Sequence, residues 1–512
     1  MTDGQTSGTE TAEQESQRTP NRDRWHQRPT VRALKKRAEK TDREFTRERD
    51  ERDNDATRLP ASEAIHLGGL TLTEAFTPST VSSLYKALER WPSDSIDRKQ
   101  DRLEQLARSR SGSRSGWQNL GVVRHPGTLV VGGGHHDPDL PPGVDAVWLH
   151  LSYVTPALAI VAATFTITEE SGDLSDLLRE NYRTRHFDTR VRVCGRFGDL
   201  RARIAWSRPA RYGVGHSVNL AEDEKREACE ALVRKHEEAC RRWFVARFPG
   251  RFAAADPQDR PVIRMLFTKE QPPYGERHAW LRPIGLGSAR PRWRSTEPKG
   301  WWLTEDRWPY REERHVMTLA ARRADAAGES SQGVSDESNW YLTQEFGSDQ
   351  APLAARHAIL ALLALYADRL GDLRDTAGRK RFPRRPVREG RDFDDYLIRD
   401  GLDAATVTSD LESFTRDVTY FRWGVPEYIE DREGLPKTSP SREPLEYVPS
   451  LCAELREQAA RLARDTTTTT GNIRASAQLR QAIANTRLQR FVLALSVAAT
   501  VIAVISLLTT SQ

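Results

Sequence analysis

The sequence predicts a cytoplasmic body of α/β or α+β class, a mixed sheet with helices, followed by a long C-terminal stalk helix and a single C-terminal transmembrane helix. Three observations lead to this prediction. Strand-like and helical patterns alternate through the middle of the chain. A 3,4 spacing of apolar residues starts at Val448. The segment from Phe491 to Leu508 has no charged residue, proline or glycine across 18 residues, which is roughly 27 Å of helix and about one hydrocarbon core.

Composition divides the chain into five regions. Residues 1–60 are polar and charged and are expected to be a disordered tail, because they cannot bury a core. The second part of this tail could form a solvated charged helix through pairs such as Glu39 and Arg43. A docking arm for a partner or an anionic surface is the alternative to a disordered tail. Residues 61–215 are expected to form an α/β subdomain, and residues 216–440 a helix-rich α+β subdomain with Trp-dense strands. Residues 441–490 form the stalk helix and residues 491–508 the transmembrane helix.

Local patterns predict the elements of the body. The runs IHLGGLTL, AVWLHLSYV and ALAIVAATFTITEE have strand composition, and the last is nearly continuous in apolar residues, which indicates a central strand. Residues 220–248 form a long helix with an acidic first end and a basic last end, as the helix dipole favours. PVIRMLFTK, HVMTLAARRADA and NWYLTQEF predict further strands. Residues 351–373 predict an apolar core helix, too interrupted by charge to cross a membrane.

Charge and cysteine content limit the function classes. The net charge of +5 comes from 78 basic and 73 acidic residues. Most of the basic residues are arginine, which indicates a GC-rich genome rather than a nucleic-acid interface, so a nucleic-acid partner is not expected. No apolar signal segment occurs in residues 1–60, so the body is expected to stay in the cytoplasm. The cysteines lack metal-type spacing and are expected to be buried free thiols: Cys194, Cys229, Cys240 and Cys452.

One loop carries residues of metal-binding type. His135, His136, Asp137 and Asp139 follow three glycines, and imidazole and carboxylate ligands at a strand end could hold Zn²⁺ or Mn²⁺. Ordinary turn chemistry in a proline-rich loop is the favoured alternative. The glycines match neither a P-loop nor a dinucleotide fingerprint, and no cofactor is predicted.

Two further clusters have both a structural and a functional interpretation. A Trp-dense section could stack a sugar or a base, although core packing is favoured: Trp280, Trp293, Trp301, Trp302 and Trp308. A basic loop could bind phosphate groups or a membrane surface, although a solvated connector is favoured: Arg379, Lys380, Arg381, Arg384, Arg385 and Arg388. The sequence contains no nucleophile elbow, zinc-protease helix, kinase motif set or paired-cysteine metal site.

The residues around the apolar segment predict its orientation and its packing. Four arginines precede the segment and no charged residue follows it: Arg474, Arg480, Arg487 and Arg490. The positive-inside rule then places the body in the cytoplasm and the C-terminus outside, in a single-pass, tail-anchored inner-membrane topology. These arginines can also contact anionic lipid headgroups. Small residues at helical spacing favour self-association of the membrane helix: Ser496, Ala499, Ala503 and Ser506.

The last part of the chain resembles the stalk and first membrane helix of CorA-type divalent-cation channels. The long helix from Val448 and the run ASAQLRQAIANTRLQRFVLALSVAATVIAVISLL carry this resemblance. It implies oligomerisation through the stalk. The chain has neither the Gly-Met-Asn signature nor the second membrane helix of that family. The resemblance therefore implies nothing about ion conduction.

The sequence thus predicts a membrane-tethered scaffold or sensor whose cytoplasmic body binds a partner. The predicted partners are membrane lipid, further copies of the chain and an unidentified cytoplasmic protein. Two alternatives remain open. One is a homo-oligomeric pore or membrane-disrupting effector, and the other is a metal-dependent enzyme with its site near His135, His136 and Asp139.

Overall fold

The computed structural model describes residues 29–92, 96–112, 116–126, 135–192, 212–274, 278–286, 292–297, 299–306, 315–327, 338–379, 397–431 and 443–510. In this part of the chain the body is an α+β fold with one large mixed sheet, and the chain ends in a long helix. In chain order the elements are α1 (Pro29–Ala56), β1 (Ile65–Phe76), α2 (Val81–Arg90), α3 (Ile96–Arg110), β2 (Gly116–Arg124), β3 (His135–His136), β4 (Val144–Thr155), β5 (Leu158–Ile167), α4 (Ser175–Arg179), β6 (Arg185–Arg192), β7 (Tyr212–Asn219), α5 (Ala221–Arg247), β8 (Val262–Thr268), β9 (Arg292–Glu297), β10 (Trp301–Asp306), β11 (Val316–Arg322), α6 (Arg323–Ala327), α7 (Asn339–Arg379), α8 (Leu402–Phe414), α9 (Val418–Arg422), β12 (Glu427–Glu430) and α10 (Tyr447–Thr510).

The chain forms two compact units. The first unit contains Met1–Pro60, Asp176–Ala231 and Arg277–Gly287, and the second contains Ala61–Ser175, Leu232–Glu276 and Ser288–Gln512. The two units therefore do not follow the predicted division at residue 215. Each unit combines segments that are distant in sequence, and local composition does not encode such long-range packing.

The first unit contains α1, the β6–β7 hairpin and the beginning of α5. Residues 29–56, which the sequence places in a disordered tail, form α1. The last turns of α1 are fixed by polar contacts rather than by an apolar face. Asp50 accepts hydrogen bonds from the backbone N–H and the hydroxyl of Thr184, at 3.0 and 2.6 Å. The Asn54 side chain donates to the carbonyl of Tyr182 and accepts from its N–H, at 2.7 and 2.9 Å.

The second unit contains the large sheet. Its ten strands have the order β12-β9-β10-β11-β8-β1-β5-β4-β2-β3, with β8 parallel to β11, β2 parallel to β3 and the other pairs antiparallel. Strand β5 lies between β1 and β4, and all ten of its residues are buried, so the predicted central strand is confirmed. The predicted strands over PVIRMLFTK and HVMTLAARRADA are also observed, as β8 and β11.

Helix α7 is the main packing element on one face of the sheet, as the apolar pattern of residues 351–373 predicts. It shares a continuous core with strands β1, β5, β8, β10 and β11 and with helices α8 and α10. Its most apolar stretch, Gln350–Asp375, is long and apolar enough to cross a membrane but is 89% buried in the protein. That burial is typical of the core helix of a soluble domain.

The prediction of a strand over NWYLTQEF is wrong, because these residues form the first turns of α7. Trp, Tyr, Thr and Phe give this run the composition of a strand. Leu342, Thr343 and Gln350 are all buried and extend the inner face of the helix toward its N-terminus. Tertiary packing along one helix face therefore overrides local strand propensity.

Candidate functional site

The C-terminal helix α10 is one continuous helix of 64 residues with two different halves. Its first half belongs to the core of the second unit, although the sequence predicts a stalk there. A 3,4-spaced stripe is buried in the same cluster as residues of α7 and α8: Val448, Leu451, Leu455, Ala459 and Leu462. The apolar spacing that predicts a stalk is therefore the packing face of a core helix.

Polar contacts fix the middle of α10 to α7 and the beginning of the helix to the end of α8. Arg374 on α7 donates to the Asp465 carboxylate at 3.3 Å and to the Thr469 hydroxyl at 3.1 Å. The Cys452 thiol donates to the carbonyl of Thr415 at 3.3 Å, and Arg456 donates to the same carbonyl. The helix is thus held to the body up to Thr469.

The second half of α10 exposes an apolar surface. The stretch Asn485–Ala503 is long and apolar enough to cross a membrane, and none of it is buried within the protein. Phe491 is 64% exposed, Leu493 67% and Ile502 64%. Exposed apolar patches of this size are typical of surfaces that bind a membrane or another protein.

The polar side chains inside the apolar segment satisfy their hydrogen bonds locally. The hydroxyls of Ser496, Thr500 and Ser506 donate to the carbonyls four residues earlier in the helix, at 2.8 to 3.0 Å. These are the only hydroxyl-bearing residues between positions 491 and 508. Every polar side chain in the segment therefore has an intrahelical partner, which a lipid environment requires.

The predicted basic and small residues lie on this same half of α10. Arg487 and Arg490 are exposed directly before the apolar segment, while the side chains of Arg474 and Arg480 lie outside the described part of the structure. No acidic residue follows Asp465. The residues of the predicted association face are all exposed: Ser496, Ala499, Ala503 and Ser506.

The loop with His135, His136, Asp137 and Asp139 does not form a metal site in the described structure. The Asp137 carboxylate accepts from the Arg247 guanidinium at 2.6 Å and from the Trp243 indole at 3.2 Å. Its other oxygen accepts the Asp139 backbone N–H at 2.9 Å, which is turn chemistry. Among the described residues, no group of three or more His, Cys, Asp or Glu side chains could hold a metal ion.

The Trp-dense section is mostly buried, and the basic loop lies almost entirely outside the described residues. Trp280, Trp293, Trp301 and Trp302 are buried, so they pack cores rather than present a stacking surface, and Trp308 lies outside the described residues. The basic loop also lies outside the described residues, apart from the backbone of Arg379 at the end of α7. Free Cys229, Cys240 and Cys452 are buried, whereas Cys194 is not described.

The second unit also contains a cavity of about 450 Å³ that no sequence motif predicts. It lies between α5, strands β1, β8 and β11, and the turn before β8. The residues that line it are Leu72, Arg234, Glu237, Glu238, Arg241, Asp256, Pro257, Gln258, Arg260, Val262 and Val316. One signal was present in the sequence: positions 234, 237, 238 and 241 share one helix face, and all four are charged.

Comparison with protein-family models, with curated proteins and with solved structures finds no match to this chain. The resemblance of the C-terminal region to CorA-type channels therefore stays a prediction from sequence.

Proposed function

We propose that the protein is a membrane-tethered scaffold or sensor, anchored by the second half of α10, with its body in the cytoplasm. One observation carries the proposal: a helix that belongs to the folded core continues into an apolar stretch with none of its surface buried. A segment that packed against the body would bury an apolar face, as Gln350–Asp375 does. A bilayer matches this segment in two ways: its hydrocarbon core is about as thick as the helix segment is long, and it offers an apolar environment on all sides of the helix.

The energetics of insertion favour this anchor. Residues 491–508 contain eleven Leu, Ile, Val or Phe residues and no charge. Each such residue near the centre of a membrane helix contributes about −0.3 to −0.6 kcal/mol to the free energy of insertion. The eleven residues together therefore contribute about −3 to −7 kcal/mol. The intrahelical bonds of Ser496, Thr500 and Ser506 lower the cost of burying their hydroxyls in lipid.

Charge supports the proposed orientation. Arg487 and Arg490 are exposed at the body side of the apolar segment. Long arginine side chains at this position extend to the interface and contact anionic headgroups of the cytoplasmic leaflet. The positive-inside rule then favours a cytoplasmic body and a C-terminus on the other side.

Flotation and protease protection of the full chain test this proposal. With vesicles of mixed neutral and anionic lipid, we expect the protein to float with the vesicles and to resist extraction at alkaline pH. In membranes from expressing cells turned cytoplasmic side out, added protease should digest the body. Recovery of the full chain in the alkaline supernatant would reject the anchor, and a protected body would reject the orientation.

The exposed small-residue face supports one further element, self-association in the membrane. Small side chains permit close approach of two helices, which drives association in lipid. We expect Ala499→Leu with Ala503→Leu to reduce crosslinking between membrane-bound copies several-fold, because leucine separates the backbones. Ala494→Leu with Ala498→Leu, placed outside this stripe, is the matched control. Equal crosslinking of both variants and the unchanged protein would contradict association through this face.

An oligomeric pore is the alternative that shares this element. Vesicles that contain the full chain and an entrapped dye distinguish the two functions, because a pore releases dye or conducts ions. Tight vesicles at protein densities that give full crosslinking support the scaffold or sensor.

A further inference from the structure

The cavity beside α5 combines an apolar floor with a charged wall. Leu72, Val262 and Val316 form the floor from three neighbouring strands, since Val262 pairs with Leu72 in β1 and with Val316 in β11. Its volume of about 450 Å³ falls within the range of small-molecule pockets. The floor alone would suit any small apolar group, so the wall determines the ligand class.

The wall is a charged face of α5 beside its apolar inner face, on which Arg241 is buried, Arg234 and Glu237 are half-buried, and Glu238 is exposed. Arg234, Glu237, Glu238 and Arg241 recur at spacings of three and four and all line the cavity. Burying charge is costly unless it is paired or used to bind. The arrangement therefore needs either internal pairing or a ligand.

Contacts within the protein account for the two carboxyls at the buried end of the wall, Glu237 and Glu74. Glu237 accepts from Arg264 at 2.6 Å, and both side chains are largely buried. Glu74 lies 3.9 Å from Arg241, and burial raises the pKa of this carboxyl to about 8, so it is mostly uncharged at neutral pH. Arg241 donates instead to the carbonyls of Thr73 and Pro261, at 3.4 and 3.1 Å. The lining as a whole has three arginines and three carboxylates, but its buried end has the cationic Arg241 beside a mostly uncharged carboxyl.

Arg260 extends this positive charge to the cavity lining with donors still available. Its Nε donates to the carbonyl of Ala255 at 2.9 Å. Its two terminal amino groups make no hydrogen bond or ion pair with the described residues. The other two carboxylates of the lining, Glu238 and Asp256, are exposed on the solvent side, where Glu238 lies 4.0 Å from the guanidinium of Arg242.

We propose that this cavity binds a small anionic metabolite through Arg260, with a carboxylate or a phosphate monoester as the recognised group. The planar guanidinium offers two parallel donors, which match the oxygens of either group. The apolar floor contacts the carbon skeleton of the ligand. This site is independent of membrane attachment, and a cytoplasmic sensor with such a site would respond to a soluble ligand.

Thermal unfolding of the full chain in detergent, followed by tryptophan fluorescence, tests the site. The probes are inorganic phosphate and succinate, titrated against chloride at constant ionic strength. We expect at least one probe to raise the midpoint temperature with a saturable dose dependence, because a ligand of the native state stabilises it. A response to phosphate alone assigns a phosphoryl ligand, and a response to succinate alone assigns a carboxylate ligand.

Two variants make the test specific. Arg260→Gln should weaken the apparent affinity by about tenfold to a hundredfold, the equivalent of one charge-assisted hydrogen-bonding group. Arg461→Gln removes an exposed arginine on α10 that pairs with Glu457, and neither residue lines the cavity, so this variant should bind as the unchanged protein does. No saturable response to either probe, or the same response in Arg260→Gln, would overturn the proposal. Neither result would affect the flotation experiment.

Discussion

Replacing Val497 and Val501 with arginine is expected to release the protein from membranes. Both side chains are at least half exposed on the apolar half of α10, near the middle of residues 491–508. An arginine at the centre of a membrane helix costs about 2.5 to 3.5 kcal/mol, so two cost about 5 to 7 kcal/mol and cancel the gain from the apolar residues. Alkaline extraction of membranes from expressing cells should move the variant from the pellet to the supernatant.

The matched control places two arginines on exposed leucines of the body. Leu402 is 58% exposed and Leu445 38%, so Leu402→Arg with Leu445→Arg adds the same charge without entering lipid. This control should stay in the pellet. If the Val497 and Val501 variant also stays in the pellet at alkaline pH, the second half of α10 is not the anchor.

The second large effect is a pH-dependent change in folding stability that we expect from the buried carboxyl of Glu74 on β1. It is fully buried, accepts the Phe252 backbone N–H at 3.1 Å and lies 3.9 Å from Arg241. Burial raises its pKa from 4.5 to about 8, although Arg241 opposes the shift. Gly250 permits the close approach, since a Cβ there would lie 2.7 Å from the carboxyl oxygen.

The sign of the pH effect follows from this raised pKa. Between about pH 4.5 and 8 the folded state holds a proton that the unfolded state has lost, so stability falls as pH rises through this window. Each unit of pKa shift corresponds to about 1.36 kcal/mol, which gives an upper bound of about 5 kcal/mol above pH 8. Glu74→Gln mimics the protonated carboxyl, so it should be more stable than the unchanged protein above pH 8 and similar to it near pH 4.5.

Urea unfolding of the full chain in detergent at several pH values measures this difference. Glu412 is exposed and pairs with the exposed Arg416 four residues later, so Glu412→Gln is the control. Its stability should stay within about 0.5 kcal/mol of the unchanged protein at every pH. A Glu74→Gln difference that is independent of pH would show that the carboxyl titrates in the same range folded and unfolded.

Patterns confined to one element predict the fold well. The long helix expected over 220–248 is observed as Ala221–Arg247, and the apolar run before Ile167 is a central strand. In these elements the apolar residues that define the period are also the buried residues, so the sequence pattern predicts both the type of element and its buried face. The α+β class of the body follows from the same alternation of patterns.

Features that depend on distant segments were not predictable. The order of the strands places β8 between β1 and β11, and residues 29–56 join 176–231 in one unit. The stripe from Val448 to Leu462 looks the same whether it faces another stalk or the core, and only the structure shows that it faces the core. The cavity is missed for the same reason, since a charged helix face indicates solvent until a sheet is found opposite it.

The continuity of α10 has a mechanical consequence. A helix of 64 residues is about 96 Å long, and the packed stripe and the apolar half belong to this one helix without a break in its backbone hydrogen bonding. Tension or torsion applied to the apolar half is therefore transmitted along the helix backbone to the packed residues Leu455, Ala459 and Leu462. Because each residue turns a helix by about 100°, deleting one residue between Thr470 and Arg487 rotates one half against the other, whereas deleting seven nearly restores their alignment.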